Sequence, residues 1–276
     1  MRIKKIKYKL NSNLDNDIKI AVLADVHYYS KRNSRKLNRV LKSIQSIKAD
    51  YICIPGDLMD CYDVKDEDVI IEWFKELSKI SKIIISIGNH EFIHHHNTYN
   101  KELFNKIDSI DNCYVVDNKL ITIDNIDFLG ITIPDEYYSM NNKNKDQYVI
   151  DLVNKNIQRF KKHKYSIMLC HSPIDMYKES IFSKLNIKEN IDLVICGHMH
   201  GGITPNIFKK YLKGKGFYAP NGKFFSDMCY GLYDHLGAKC IISSGVTKSS
   251  HTNKFEYLDF LFAPEITIVE IKSKSV

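Results

Sequence analysis

The stretch "IKIAVLADVH" (Ile18–His27) decides the fold. An apolar run broken by a single lysine ends abruptly in aspartate, valine and histidine. A short run rich in branched residues and bounded by polar ones reads as a strand buried on both faces. Four more runs repeat the pattern: "YICIP" (Tyr51–Pro55), "IIISI" (Ile83–Ile87), "YSIMLC" (Tyr165–Cys170) and "DLVIC" (Asp192–Cys196). Each is followed at once by polar residues of a restricted kind.

Helical periodicity fills the intervals. Leu37, Val40, Leu41, Ile44 and Ile47 recur at the 3.6-residue spacing, as do Val69, Trp73, Phe74, Leu77 and Ile80, and Val149, Leu152, Val153, Ile157 and Phe160. Strands alternating with amphipathic helices predict a sheet covered on both faces. "LITIDNIDFLGITI" (Leu120–Ile133), with Asp-Asn between two alternating runs, predicts a hairpin and so a mixed sheet. After Gly201 the helical period disappears, and "GKGFYAP", "KFFSDMCYGLY", "KCIISSG" and "EITIVEI" read as short strands between Gly and Pro turns. With no repeat and no linker, the expectation is one α/β domain over residues 1–276, built of two packed sheets.

Composition excludes several classes. Hydrophobic residues make up 44% and charged residues 26%, as in soluble globular chains. No apolar run approaches the roughly 20 residues needed to cross a bilayer, and "MRIKKIKYKLNSNL" lacks the apolar core of a secretory signal, so a cytoplasmic location is expected. Seven cysteines form no CxxC pair, and Cys53, Cys170 and Cys196 lie in strand-like runs, which argues against a disulfide framework. The formal charge of +7 gathers in Lys-dominated clusters (Lys4–Lys9, Lys31–Arg39, Arg159–Lys164, Lys209–Lys215), read first as solvated faces and second as contacts to nucleic acid, phosphorylated substrate or anionic membrane.

The chemistry lies at the strand ends. In order they carry "DVH" (Asp25–His27), "GDLMD" (Gly56–Asp60), "GNHE" (Gly88–Glu91), "HS" (His171, Ser172) and "GHMH" (Gly197–His200). Ligands of open α/β sheets bind just beyond the carboxyl ends of strands, so the five sets can meet in one place. Carboxylate, imidazole and amide without thiolate suit a hard to borderline dication such as Mn²⁺, Fe²⁺ or Zn²⁺. Seven such side chains are too many for one ion and enough for two if a carboxylate bridges them. In Asp25-Val26-His27 and His198-Met199-His200, i, i+2 spacing on an extended segment would turn both polar residues to one side. Gly56, Gly88 and Gly197 precede Asp57, Asn89 and His198, where a missing Cβ permits close approach.

DxH, GDxxD, GNHE, HS and GHxH in this order resemble the calcineurin-like metallophosphoesterase superfamily. "SSG" (Ser243–Gly245) with "APEITIVEI" (Ala263–Ile271) resembles the end of its small bacterial phosphohydrolase branch. The resemblance implies a four-layer α/β/β/α sandwich, two mixed sheets flanked by helices, with two divalent metal ions at the strand ends. It further implies that Asp25, His27, Asp57 and His200 hold one ion and Asp57, Asn89, His171 and His198 the other, Asp57 bridging.

On this reading the metals lower the pKa of a shared water, and the resulting hydroxide attacks phosphorus. His90, next to Asn89 but outside the ligand set, is placed to protonate the leaving oxygen, with Asp60 orienting its imidazole. The expected substrate is a small phosphomonoester, a phosphodiester or a nucleotide-lipid diphosphate. Cys61-Tyr62 after Asp60, where phosphoprotein phosphatases of the superfamily carry Arg-Gly, disfavours a phosphoprotein. A nuclease acting on DNA or RNA is the alternative enzyme, and a non-catalytic metal-binding scaffold the alternative to an enzyme. Ile203 after "GHMHGG" and the missing anchor depart from the bacterial branch, although the basic, aromatic segment from Phe208 to Tyr233 can touch lipid or cover the site, which would make the chain peripheral to a membrane. His94, His95, His96 and His163 read as solvated, and His235 and His251 as loop residues with a lesser claim on substrate. Ser172 reads as the cap of a helix opened by Pro173, and Glu91 as bonded to nearby backbone or to a neighbour in the site.

Overall fold

The structure is a computed structural model; it describes residues 3–30, 34–60, 64–92, 98–138, 145–160, 165–173, 183–185, 187–220, 222, 224–235, 238–247 and 263–274. The buried runs are strands: β2 (Ile18–Val22), β3 (Tyr51–Ile54), β4 (Lys82–Ile85), β8 (Tyr165–Cys170) and β9 (Leu193–Cys196). They are joined by β1 (Lys4–Asn11), β5 (Cys113–Val115), β6 (Leu120–Ile123), β7 (Ile126–Ile131), β10 (Gly231–His235), β11 (Ala238–Ile242) and β12 (Glu265–Lys272). One sheet has the order β1-β12-β2-β3-β4-β5 and the other β10-β11-β9-β8-β7-β6.

Both sheets are mixed. In the first, β2 to β5 run parallel and β12 enters antiparallel to β2. In the second, β11, β9, β8 and β7 are parallel, with β6 and β10 antiparallel at the edges. The β6–β7 turn is the expected hairpin: Asp124 and Asn125 take φ of 52° and 63°, the left-handed pair that a two-residue turn requires.

Period-two alternation builds the layers. Ile20 and Val22 face the second sheet, in a core shared with Phe128, Ile167, Leu169 and Ile195. Ala21 and Leu23 face the other way, onto α1 (Ser34–Gln45), α2 (Glu67–Ser78) and α3 (Lys101–Asp108) through Leu37, Val40, Ile44, Trp73, Phe74 and Phe104. The outer face of the second sheet packs Met168, Val194 and Cys240 on Val149 and Val153 of α4 (Lys145–Ile157). The result is helices, sheet, sheet, helices, as expected.

Two elements depart from the sequence reading. The Lys4–Lys9 cluster lies in β1, whose lysines alternate with Ile6, Tyr8 and Leu10 on an edge strand paired only with β12. Beyond the short α5 (Ile187–Asn190), a further helix α6 (Asn206–Leu212) forms where no helical period is present. It buries none of its residues, and its apolar side chains Ile207, Phe208 and Tyr211 are exposed. "GKGFYAP" contributes only an isolated bridge, Tyr218 to Phe224.

No helix among the described residues is long and apolar enough to cross a membrane. Six cysteines are buried and unpaired by disulfide; Cys61 lies outside the described residues.

Candidate metal centre

Asp25 and His27 follow β2, Asp57 and Asp60 follow β3, Asn89 and His90 follow β4, His171 follows β8, and His198 and His200 follow β9. Backbone bonds lock these ends together: His27 N–H donates to Asp57 O at 3.0 Å and Gly197 N–H to His171 O at 2.9 Å. Close approach needs missing side chains at two points. A Cβ on Gly88 would lie 2.3 Å from Asp57 Oδ1, and Gly56 takes φ +119° with Gly88 Cα 2.7 Å from where its Cβ would be.

The side chains gather in overlapping groups. Ligand atoms of Asp25, His27 and His200 lie within 4.8 Å of one another, as do those of Asp57, His171 and His198, and those of His27, Asp57 and His90. Asp57 is common to two groups and His27 Nε2 lies 3.7 Å from its Oδ2. His198 and His200 therefore serve different groups. They are not on one side of an extended segment: His198, Met199 and His200 have φ of 67°, −79° and 46°, so the chain alternates left- and right-handed turns and splays the imidazoles apart. Asp25 and His27 are left-handed too, at 53° and 48°.

Each central aspartate has one oxygen tied to backbone and one bare. Asp25 Oδ1 accepts from His198 N–H at 2.9 Å, and Asp57 Oδ1 accepts from His90 N–H at 3.0 Å. Asp25 Oδ2, Asp57 Oδ2, Asn89 Oδ1, His171 Nδ1 and His200 Nδ1 are buried without a hydrogen bond. Asp57 Oδ2 approaches His171 Nε2 at 3.0 Å but without hydrogen-bond geometry. Buried polar atoms are almost always satisfied, so the unbonded carboxylate and amide oxygens gathered here fit a cation.

Charge points the same way. Burial holds His27 and His198 below the usual histidine range and His200 down to about 4, so these imidazoles are neutral donors. Three carboxylates, Asp25, Asp57 and Glu91, share the same buried volume. Burial, reinforced by Asp57, lifts Asp25 to about 6. At Asp57 burial opposes the charge, but His171 and His90 outweigh it and hold the carboxyl well below its usual range. His171, despite burial, is lifted to about 9 by Asp57, Asp25 and Glu91. His171 and His90 offset the crowded carboxylates only in part, and the remaining deficit of positive charge is one that metal ions fit.

Asp60 lies closer to His27 than to His90. Its Oδ1 is 3.1 Å from His27 Nδ1 and 3.8 Å from His90 Nδ1, while its backbone carbonyl is 3.2 Å from His90 Nδ1. A carboxylate on His27 Nδ1 fixes the tautomer that presents Nε2 as a ligand atom. Burial works against a charge on His90, but Asp57, the Asp60 carbonyl and the Asp60 carboxylate raise its pKa.

Residues 18–202 match the calcineurin-like phosphoesterase family. The chain belongs to that family. An uncharacterized metallophosphoesterase of Campylobacter jejuni is 27% identical over 95% of this chain and 61% of its own length. One of Helicobacter pylori strain J99 is 25% identical over 84% of this chain and 55% of its own. The chain thus spans little more than half the length of these relatives. Among solved structures, a dimetal phosphatase from Danio rerio is 13% identical with a TM-score of 0.46, covering 84% of this chain and 89% of that one.

Of the two readings of Glu91, the backbone one holds: it accepts from Asp57 and Gly88 N–H at 3.1 and 2.6 Å on one oxygen and from Met59 N–H at 2.8 Å on the other. Sequence reasoning missed a second support. Lys36, on α1, donates to the Val26 carbonyl and, at 2.6 Å, to Thr247 Oγ1, which also bonds Val26 O. Val246 and Thr247 N–H bond the Ala24 and Asp25 carbonyls at 3.0 and 3.1 Å. A lysine within a basic cluster and a threonine after Ser243–Gly245 give no local sign of this clamp. Tyr138, on the turn Asp135–Tyr138, packs its ring 5.2 Å from His198. His94, His95, His96, His163, His251, the side chain of His235 and the helix expected after Pro173 lie outside the described residues.

Proposed function

We propose that the chain is a phosphoesterase that works with two divalent metal ions and hydrolyses a small phosphomonoester, a phosphodiester or a nucleotide-lipid diphosphate. The observation that carries this reading is the pair of buried aspartates, each pinned by one oxygen and without a hydrogen bond at the other, facing a cluster of imidazoles. Asp25, His27, Asp57 and His200 would hold one ion, and Asp57, Asn89, His171 and His198 the second. Oxygen and nitrogen donors without thiolate favour Mn²⁺, Fe²⁺ or Zn²⁺. Bound there, the ions supply Lewis acidity that draws charge from the phosphoryl oxygens and makes water acidic enough to attack phosphorus near neutral pH.

The chain's own residues do the rest. Asp60 holds the His27 ring through Nδ1, and Glu91 holds the Asp57 loop through its backbone. His90, partly open to solvent at its side chain, points Nδ1 at the Asp60 carbonyl, and in this reading its Nε2 carries the proton to the leaving oxygen. The described cysteines, buried and unpaired, agree with a reducing, cytoplasmic setting.

The test is metal analysis of the purified protein alongside turnover of bis-p-nitrophenyl phosphate, phosphomonoesters, cyclic nucleotides and nucleotide-lipid diphosphates, with Asp57→Asn as blank. Metal-dependent turnover lost in the blank is expected. Stoichiometric metal with no turnover of any of these would make the protein a metal-binding scaffold, and preferential cleavage of oligonucleotides with steeply salt-dependent binding would make it a nuclease.

A further inference from the structure

Of the large hydrophobic side chains that the described residues expose, all but Tyr29 lie in one short segment: Ile207, Phe208, Tyr211, Tyr218, Phe224 and Phe225. Exposure reaches 69% at Tyr211 and 74% at Phe224. Soluble proteins scatter such residues singly; a contiguous cluster marks a contact surface. Here they fall in two ring groups carried by one segment. Ile207, Phe208 and Tyr211 stand one turn apart on α6, and the Phe208 ring meets Phe217 at 5.7 Å, Phe217 meets Phe225 at 5.7 Å, and Tyr218 meets Phe224 at 5.2 Å.

The surface is held in place rather than left loose. Phe225 N–H bonds Phe217 O, Gly216 N–H bonds Ser226 O, and Tyr218 N–H bonds the carbonyl of Gly202, two residues after His200. Tyr230 Oη donates to Lys209 O at 2.8 Å, anchoring the end of α6. An exposed apolar surface that the backbone fixes in shape implies a standing partner.

Charge selects the partner. From Asn206 to Phe225 the sequence is NIFKKYLKGKGFYAPNGKFF, which carries lysines at 209, 210, 213, 215 and 223 and no acidic residue. Lys209 is engaged with Ser244 and Glu265 and Lys215 pairs with Asp227 at 3.2 Å, while Lys210, Lys213 and Lys215 are all exposed on this segment. Phe and Ile at the tips, lysines beside them and no arginine match a lipid interface, where apolar rings enter the acyl boundary and lysines meet anionic headgroups. We propose that α6 and the described residues between 214 and 226 form a docking surface for an anionic lipid bilayer. Docking does not depend on the hydrolytic reading, and it sets the loop that carries His200 beside the membrane surface.

The experiment is flotation of the full chain with vesicles of phosphatidylcholine containing roughly 30 mol% phosphatidylglycerol, against phosphatidylcholine alone, at low and high salt. Binding to the anionic vesicles alone, weakened by salt, is expected. Phe224→Ser/Phe225→Ser should abolish flotation with an unchanged circular-dichroism spectrum and unchanged turnover of soluble bis-p-nitrophenyl phosphate. Lys210→Gln/Lys213→Gln/Lys215→Gln should weaken it by about a hundredfold, each lysine near an anionic surface contributing several-fold. Absence of flotation at low salt, or flotation indifferent to the paired phenylalanine change, overturns the proposal. So does a self-association or single-stranded-oligonucleotide binding that this pair of changes abolishes while vesicles are ignored.

Discussion

Glu91→Gln tests how the site is held. The two side chains have the same shape, so packing is kept while one acceptor oxygen becomes an NH₂ donor. Three buried N–H groups point at the carboxylate, those of Asp57 and Gly88 at one oxygen and that of Met59 at the other. With the amide oxygen serving Asp57 and Gly88, the NH₂ faces the Met59 N–H, donor against donor. An unsatisfied buried N–H costs about 1–3 kcal/mol, and converting two charge-assisted bonds to neutral ones costs about 1 kcal/mol each. Against this, the carboxylate is itself under pressure: burial and the nearby Asp57 lift its pKa to about 7, so removing the charge returns about 1–2 kcal/mol. The net loss is about 2–3 kcal/mol, a fall in Tm of about 5–10 °C for a chain of this size. Thermal unfolding followed by circular dichroism measures it, and metal content should fall with it because the Asp57 loop is the part released. A variant with wild-type Tm and full metal content would refute the view that Glu91 organises that loop.

Other perturbations separate holding metal from using it. His90→Ala should keep near-normal metal while lowering kcat by about 10²- to 10⁴-fold, and loss of both metals would sink its assignment as proton donor. Asp57→Asn should deplete metal, measured by elemental analysis; full occupancy would count against the bridge. Gly88→Ala places a Cβ 2.3 Å from Asp57 Oδ1 and should lower metal content although no proposed ligand is replaced, whereas unaltered affinity would mean the loop yields freely. Far from the site, Asp17 is held at about 2, below its ordinary 3.8, chiefly by Lys272 and the Ser273 N–H. A depressed carboxylate stabilises fully above its unfolded pKa, and the effect vanishes as pH falls through the folded value. Urea midpoints of wild type and Asp17→Asn should therefore differ at pH 6 and converge near pH 2; a constant gap would show that the ion pair is not the cause.

What the sequence made legible follows from which forces are local. Strands such as β4 (Lys82–Ile85) and β8 (Tyr165–Cys170) stand out because burial on both faces demands apolar runs, and α1, α2 and α4 because burial on one face demands a stripe. β1 was hidden by its lysines, since an edge strand needs only one apolar face, and α6 by having no buried face at all. The place of β12 between β1 and β2 was not legible, because it depends on pairing the two ends of the chain. In the site, residue types at strand ends were readable, since the chemistry requires them. Their partners were not. Asp60 stands three residues from Asp57 and thirty from His90, but its distance to His27 Nδ1 depends on the path of the backbone.

That path is where the architecture and the chemistry meet. Asp25, His27, Asp57, His198 and His200 all have positive φ, a conformation that costs a residue with a Cβ about 1–2 kcal/mol. Such strain persists only where the surroundings over-determine it. Here they do: Val246 and Thr247 bond the carbonyls of Ala24 and Asp25, Lys36 closes on Val26, Glu91 collects the amides around Asp57, and His198 N–H is held by Asp25 itself. An extended segment would satisfy its own backbone in a sheet and send Asp25 and His27 to one side. The left-handed turns instead end pairing at the strand tips, keep Asp25 and His27 in one group with His200, and send His198 to the other. The same turns free Asp25 Oδ2 and Asp57 Oδ2 from the backbone that captures their partner oxygens. Clamp, strain and bare oxygens are thus one device, and none of its parts is explained by packing alone.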